Sequence, residues 1–350
     1  MLQRRRRSAL LLAVFAVLAL FTAACGDSEK DNATDGGGGE TSGKITISGS
    51  STVEPISSAV AETFFEEAPD VDISVDGPGT GDGFELFCKG ETDISDASRA
   101  IKAEEAAVCD EAGIEFVEIE IGIDGLSVLT SAENGDVDCL TFEDLYALIG
   151  PESQGFAQWG DAQALATELG SDTELPDAEL EVVGPGEESG TYDSFIELVF
   201  ADIAEKRLEE GKITEDQVET TRPDYQASSN DSVIIEGITG SDSSLGWVGF
   251  AFAEEAGDGV KEIEVDGGDG CTAPTTETIG DGSYPISRPL FIYVNKKHAE
   301  ENEVLAEFVD FYLEGLNEFV EESGYVALPD DRVSTSKTNW DDRVAGTQQG

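Results

Sequence analysis

The chain has 350 residues, of which 20 are lysine or arginine and 75 aspartate or glutamate, giving a formal charge of -55. Acidic residues spread along the whole length argue against nucleic acid as a partner, and so diffuse an acidic surface matches the way proteins of high-salt surroundings stay solvated. With five cysteines in spacings that match no zinc pattern and a single histidine, His298, the chain is short of metal ligands, so neither a metal nor a cofactor is expected.

The chain opens with an address. Arg4 to Arg7 are basic, residues 9–21 are apolar but too short to cross a bilayer comfortably, and Thr22-Ala23-Ala24-Cys25 ends the run with small residues before a cysteine. This resembles a bacterial lipoprotein signal peptide, with residues 1–24 as the signal and Cys25 as the lipidated first residue. A plain secretory signal or a short membrane anchor competes with that reading. Residues 25–43, rich in Asp, Gly, Ser and Thr, read as a disordered tether, so the folded part starts near Lys44. Four cysteines remain in an exported chain, where disulfides persist. Of three possible pairings, Cys88 with Cys109 and Cys139 with Cys271 is favoured: the first closes a short loop, and the second joins the two ends of an inserted domain.

Short strands then alternate with helices. Residues 44–48 (KITIS) alternate as a strand, and Gly49-Ser50-Ser51-Thr52-Val53-Glu54-Pro55 turns into a helix with Ile56, Val60, Phe64 and Phe65 on its buried side. After a strand at 71–75, GPGTGDGF at 77–84 delivers Thr80 to a second helix start. That turn lacks both the Lys-Ser/Thr ending of a P-loop and the spacing of a dinucleotide fingerprint, which leaves cradling of a small anion or a ligand-free flexible turn. A third strand at 94–99 ends with Asp96, Ser98 and Arg99. Two strands, 115–121 and 125–130, are expected on either side of a break at Gly122, Asp124 and Gly125, as a hinge crossover would require, followed by an amphipathic helix at 141–149.

Residues 181–200 (EVVGPGEESGTYDSFIELVF) repeat the strand, loop, helix design. Ser189, Gly190 and Thr191 open a helix carrying Phe195, Ile196, Val199 and Phe200 at helical spacing. The first amides of a helix lack internal partners and carry partial positive charge, so hydroxyls and a glycine there can cradle an oxyanion; an ordinary N-cap is the competing reading. Residues 201–219 read as a charged, solvated outer helix. Residues 228–238 form another polar junction, with Asp231 as a carboxylate of interest, and 245–252 an apolar strand. A proline-punctuated crossover at 284–294 leads to a long helix at 303–320 whose aromatics serve packing.

Together GSSTVEP at 49–55, GPGTGDGF at 77–84, DISDASR at 93–99, GPGEESGTYDSF at 184–195 and YPISRPLFIYV at 284–294 resemble the phosphate-binding lipoproteins of bacterial phosphate ABC transporters, in the right order and over nearly all of the chain beyond the tether. The resemblance implies an α/β periplasmic-binding-protein fold of type II. One lobe would comprise residues 44–122 and 286–350, and an inserted lobe residues 123–285. Two crossover strands would act as hinges, and one anion would be enclosed in the cleft. It implies inorganic phosphate and the permease subunits of an ABC importer as partners, a monomer held by lipid on the outer face of the cytoplasmic membrane, and no enzymatic activity.

Position by position, the resemblance nominates Ser51, Thr52, the Val53 amide, Thr80, Asp96, Ser98, Arg99, Ser189, Gly190 and Thr191. In the best-known branch an arginine stands four residues before the serine equivalent to Ser189. Here that position is Pro185, and the arginine after the DISDAS run, Arg99, is the expected cationic partner. Asp96 and then Asp231 are the candidates for accepting a phosphate proton, which sulfate would lack. The alternatives are another tetrahedral oxyanion such as sulfate, or a secreted phosphate-ester hydrolase. The second is disfavoured because Ser189 lies outside a G-x-S-x-G elbow and His298 is far along the chain.

Overall fold

The computed structural model describes residues 43–187 and 189–348; the signal peptide, Cys25 and all of the tether except Gly43 lie outside the described residues. Eleven strands are described: β1 Gly43–Gly49, β2 Val71–Asp76, β3 Ile94–Ala97, β4 Phe116–Ser131, β5 Cys139–Thr141, β6 Glu181–Pro185, β7 Gln226–Ser228, β8 Ser244–Gly249, β9 Val260–Asp266, β10 Cys271–Thr272 and β11 Ser287–Asn295. Their pairing runs β2-β1-β3-β11-β4-β8-β6-β7, with β9 also on β4 and β5 and β10 on β9. The β1, β2, β3 group and the β6, β7, β8 group are each parallel. Antiparallel β4 and β11 stand between the two groups.

This topology positions the polar junctions. Helices Glu54–Glu67, Thr80–Phe87, Gly190–Phe195 and Asp231–Thr239 each follow a parallel strand. Their N-termini therefore gather at the carboxyl ends of the strands, where open α/β sheets place ligands. Apolar side chains pack on both parallel groups within one continuous core. Ile45, Ile56, Val60 and Phe64 are buried with Phe308 on one; on the other Phe195 stacks on Trp247 at 4.7 Å and meets Phe200 edge-on at 5.2 Å. Phe65, expected on the buried side of its helix, is 55% exposed. Both expected disulfides, Cys88–Cys109 and Cys139–Cys271, are formed.

Several local expectations are corrected. The break at Gly122 to Gly125 is absent: β4 is one strand of 16 residues whose first part pairs with β11 and whose second part pairs with β8 and β9. Its glycines make room for neighbours, because a Cβ on Gly122 would sit 2.9 Å from Val320 and one on Gly125 2.9 Å from Ile279. The strand expected over 245–252 stops at Gly249, and Phe250 starts a helix. The outer helix ends at Glu209, before Gly211 at a φ of 68°. It is not merely solvated either, since Arg207 is buried against Glu152 at 2.6 Å and Glu168 at 2.8 Å. The long terminal helix is two, Glu303–Glu314 and Leu316–Glu322, parted at Gly315.

Candidate functional site

Three strand ends of the first group are knitted by backbone contacts. The Ser50 N–H donates to the Asp96 carbonyl at 2.9 Å, and the Gly79 N–H to the Gly49 carbonyl at 2.8 Å. The approach needs glycine: a Cβ on Gly49 would lie 2.0 Å from the Asp96 carbonyl oxygen, and one on Gly83 would lie 2.4 Å from the Gly49 Cα. Ser50 then organises the start of helix Glu54–Glu67. Its carbonyl accepts from the Val53 and Glu54 N–H groups at 3.1 and 2.9 Å, and its Oγ accepts from the Thr52 N–H at 3.2 Å. The Val53 amide is thus engaged by Ser50, while the Thr52 hydroxyl points to the opposite group of strands.

Asp96 is wholly buried at the end of β3. The Ser57 hydroxyl donates to its Oδ1 at 3.0 Å, and Oδ2 has no partner among the described residues. Burial pushes the carboxyl up to about 7, against the Ser57 hydrogen bond, with the nearby Glu54 charge adding to the rise. Thr80 and Ser98 meet at the next junction: their hydroxyl oxygens are 3.1 Å apart, and the Ser98 N–H donates to Thr80 Oγ1 at 3.2 Å. Arg99 is close by, but its guanidinium forms a two-pronged pair with Glu105, 2.8 Å on each prong, and lies over the Phe84 ring at 5.6 Å.

From the second group, Ser189 caps helix Gly190–Phe195, its Oγ accepting from the Thr191 N–H at 3.2 Å. Pro185, where the best-known branch has its arginine, is buried at the end of β6, and its carbonyl accepts from the Tyr225 hydroxyl. The two helix starts face each other. A Cβ on Gly190 would be 3.6 Å from the Thr52 Cα and 3.7 Å from the Ser51 carbonyl, Ser51 Oγ is 3.5 Å from Asp193, and the Thr52 and Ser194 hydroxyls are 3.5 Å apart. A cavity of about 460 Å³ opens beside them, lined by Pro78 and Gly79 on one side and by Asp193, Ile196 and Glu197 on the other.

Residues that sequence reasoning missed tie this meeting point together. Arg288 on β11 donates through Nε to Asp124 at 3.3 Å and through Nη2 to the hydroxyls of Ser194 at 2.6 Å and Thr52 at 3.3 Å; its Nη1 pairs with Glu197. The Ser194 hydroxyl also donates to Asp124 at 2.7 Å. The available signal was a charge in each of two otherwise apolar crossover segments, Asp124 in IGIDGL and Arg288 in YPISRPLFIYV. Asp231 is the first residue of its helix, after the Asn230 cap. Burial raises its pKa, and its charge reaches the Tyr325 hydroxyl, which also feels Asp124 and Arg288.

The fold thus brings Ser51, Thr52 and Gly190 into contact, with Asp96 joined to them through Ser50, and sets Thr80 beside Ser98. Hydroxyls, helix starts and a guanidinium make a set of donors suited to an oxyanion, beside a carboxyl that can accept or hold a proton.

A model of the PBP superfamily domain matches residues 35–315. Protein SphX of Synechocystis is 36% identical over 89% of this chain and 86% of its own length. Phosphate-binding protein PstS of Staphylococcus saprophyticus is 34% identical, over 92% of this chain and 93% of its own. Among solved structures, a possible phosphate binding protein from Planctomyces limnophilus superposes with a TM-score of 0.76 at 33% identity, covering 87% of this chain and 99% of that one. An ABC-type phosphate transport receptor from Vibrio cholerae superposes with a TM-score of 0.58 at 25% identity, covering 81% and 100%.

Proposed function

The chain belongs to the PBP superfamily, with Protein SphX and phosphate-binding protein PstS among its relatives, and from that premise we propose that it captures inorganic phosphate between two lobes and delivers it to an ABC importer. The observation that carries this reading is the meeting of two helix starts at Thr52 and Gly190, one from each parallel group of strands. The lobes are residues 44–122 with 286–350 and residues 123–285, with β4 and β11 as the crossover hinges. Their closure over the anion is the movement that the permease subunits read.

Ser51, Thr52, Thr80, Ser98, Ser189, Gly190 and Thr191 supply hydroxyl and amide donors, with the Val53 amide beneath them, and Arg99 adds positive field at the rim. Asp96 is the proton acceptor, ahead of Asp231. Its Oδ2, buried and without a partner among the described residues, can pair with the proton of monohydrogen phosphate, whereas sulfate brings none and is repelled. The protein works as a monomer, anchored through lipid on Cys25 to the outer face of the cytoplasmic membrane, and catalyses nothing. Calorimetric titration with phosphate, with sulfate as competitor, tests the binding. A chromogenic phosphate ester that stays intact tests the absence of hydrolysis.

A further inference from the structure

Resting on the phosphate reading above, we infer that Arg288 supplies the positive charge to the bound anion and that Glu197 competes with the anion for its guanidinium. Arg288 touches both walls at once. Its Nη2 lies 3.3 Å from the Thr52 hydroxyl and 2.6 Å from the Ser194 hydroxyl, while its stem is fixed on a crossover strand. An oxyanion held by the two helix starts therefore lies within reach of the guanidinium, whose Nη1 becomes a free donor once Glu197 leaves while Nη2 keeps the Ser194 and Thr52 hydroxyls.

Charge arithmetic names the group that gives way. One guanidinium faces two carboxylates, Asp124 and Glu197, so the cluster is already net negative and an incoming anion is opposed unless one carboxylate leaves. Asp124 is buried, directly opposite Arg288 in the strand pairing, and additionally held by Ser194. Glu197 is 50% exposed and lines the 460 Å³ cavity, so it can swing into water at little cost. Arg99 lacks this freedom, because Glu105 takes both prongs of its guanidinium. Its charge is felt by Glu197 and helps draw that carboxylate off Arg288.

The test is calorimetric titration of the full chain with inorganic phosphate. Arg288→Gln is expected to weaken binding about 100-fold or more, and Arg288→Lys about tenfold, because an ammonium cannot reproduce the planar fork. Glu197→Gln is expected to tighten binding at least about threefold, and Arg99→Gln to weaken it less than about tenfold. A folded Arg288→Gln protein whose affinity stays within about threefold of wild type overturns the assignment. If that variant does not fold, Glu197→Gln decides: a purely structural role for the Arg288 pairs leaves its phosphate affinity unchanged or weaker, and either result overturns the proposal. Wild-type protein that binds no phosphate instead removes the functional reading itself.

Discussion

Arg288 and Asp124 stand opposite each other in the register of β11 and β4, the two strands that pass between the parallel groups, and the Arg288 Nε lies 3.3 Å from Asp124. Both side chains are buried. A guanidinium in such a place needs its counter-charge, since a buried charge left alone costs several kcal/mol. The pair therefore fixes a donor array on the two strands that stand between the parallel groups.

Asp124→Asn removes that counter-charge. Stability is expected to fall by about 3 kcal/mol, less than for a fully isolated charge because Glu197 remains a partner. Urea denaturation of the variant measures this. A loss below about 0.5 kcal/mol shows that the pair contributes no more than a surface contact.

Asp96 gives a pH signature whose sign can be worked out. Its carboxyl is displaced from 3.8 to about 7, so between those values the folded protein holds a proton that the unfolded chain releases. Stability from this group is therefore complete below pH ~4 and is lost as pH rises toward ~7, by about 4 kcal/mol in all. Asp96→Asn carries no such penalty. Its melting temperature is expected to gain on wild type as pH goes from about 5 to about 8, while its preference for phosphate over sulfate falls. A gap between the two proteins that does not change with pH contradicts the assignment.

Gly83→Ala tests the packing that sets Thr80 beside Ser98. The added Cβ would meet the Gly49 Cα at 2.4 Å and the Ser48 carbonyl at 3.0 Å, so helix Thr80–Phe87 must move off β1. A loss of about 2 kcal/mol in stability is expected, together with weaker phosphate binding. Full stability in thermal melts would show that the junction is more pliable than its contacts imply.

The formal charge of -55 sets the direction of the salt effect. Raising sodium chloride from about 0.1 M to about 1 M shortens the screening length from about 10 Å to about 3 Å, which weakens long-range repulsion of an anion more than short contacts with Arg288. Stopped-flow association rates for phosphate are expected to rise several-fold over that range. A falling rate would mean that the arginine field dominates the approach.

The strand, loop, helix junctions were legible in the sequence because their signals are local: an alternating or β-branched run, a glycine turn, then a hydroxyl before a helical apolar stripe. Ser51, Thr80 and Ser189 follow that local pattern, Asp96 ends a short apolar run, and the fold sets all four at the carboxyl ends of parallel strands. Arg288 was not legible, since its importance comes from Asp124, Ser194 and Glu197, which lie 164, 94 and 91 residues away in the chain. Arg207 went unread for the same reason, its helix looking solvated until Glu152 closes over it. Gly122 and Gly125 misled in another way. In the sequence they signal a strand break, and in the fold they let Val320 and Ile279 pack tightly against an unbroken strand.

The most direct test of phosphate capture is a calorimetric titration of the wild-type chain with inorganic phosphate, repeated in a large excess of sulfate. One phosphate per chain, with an affinity that the sulfate barely changes, is the predicted result. No phosphate heat, or sulfate competing on equal terms, would contradict it.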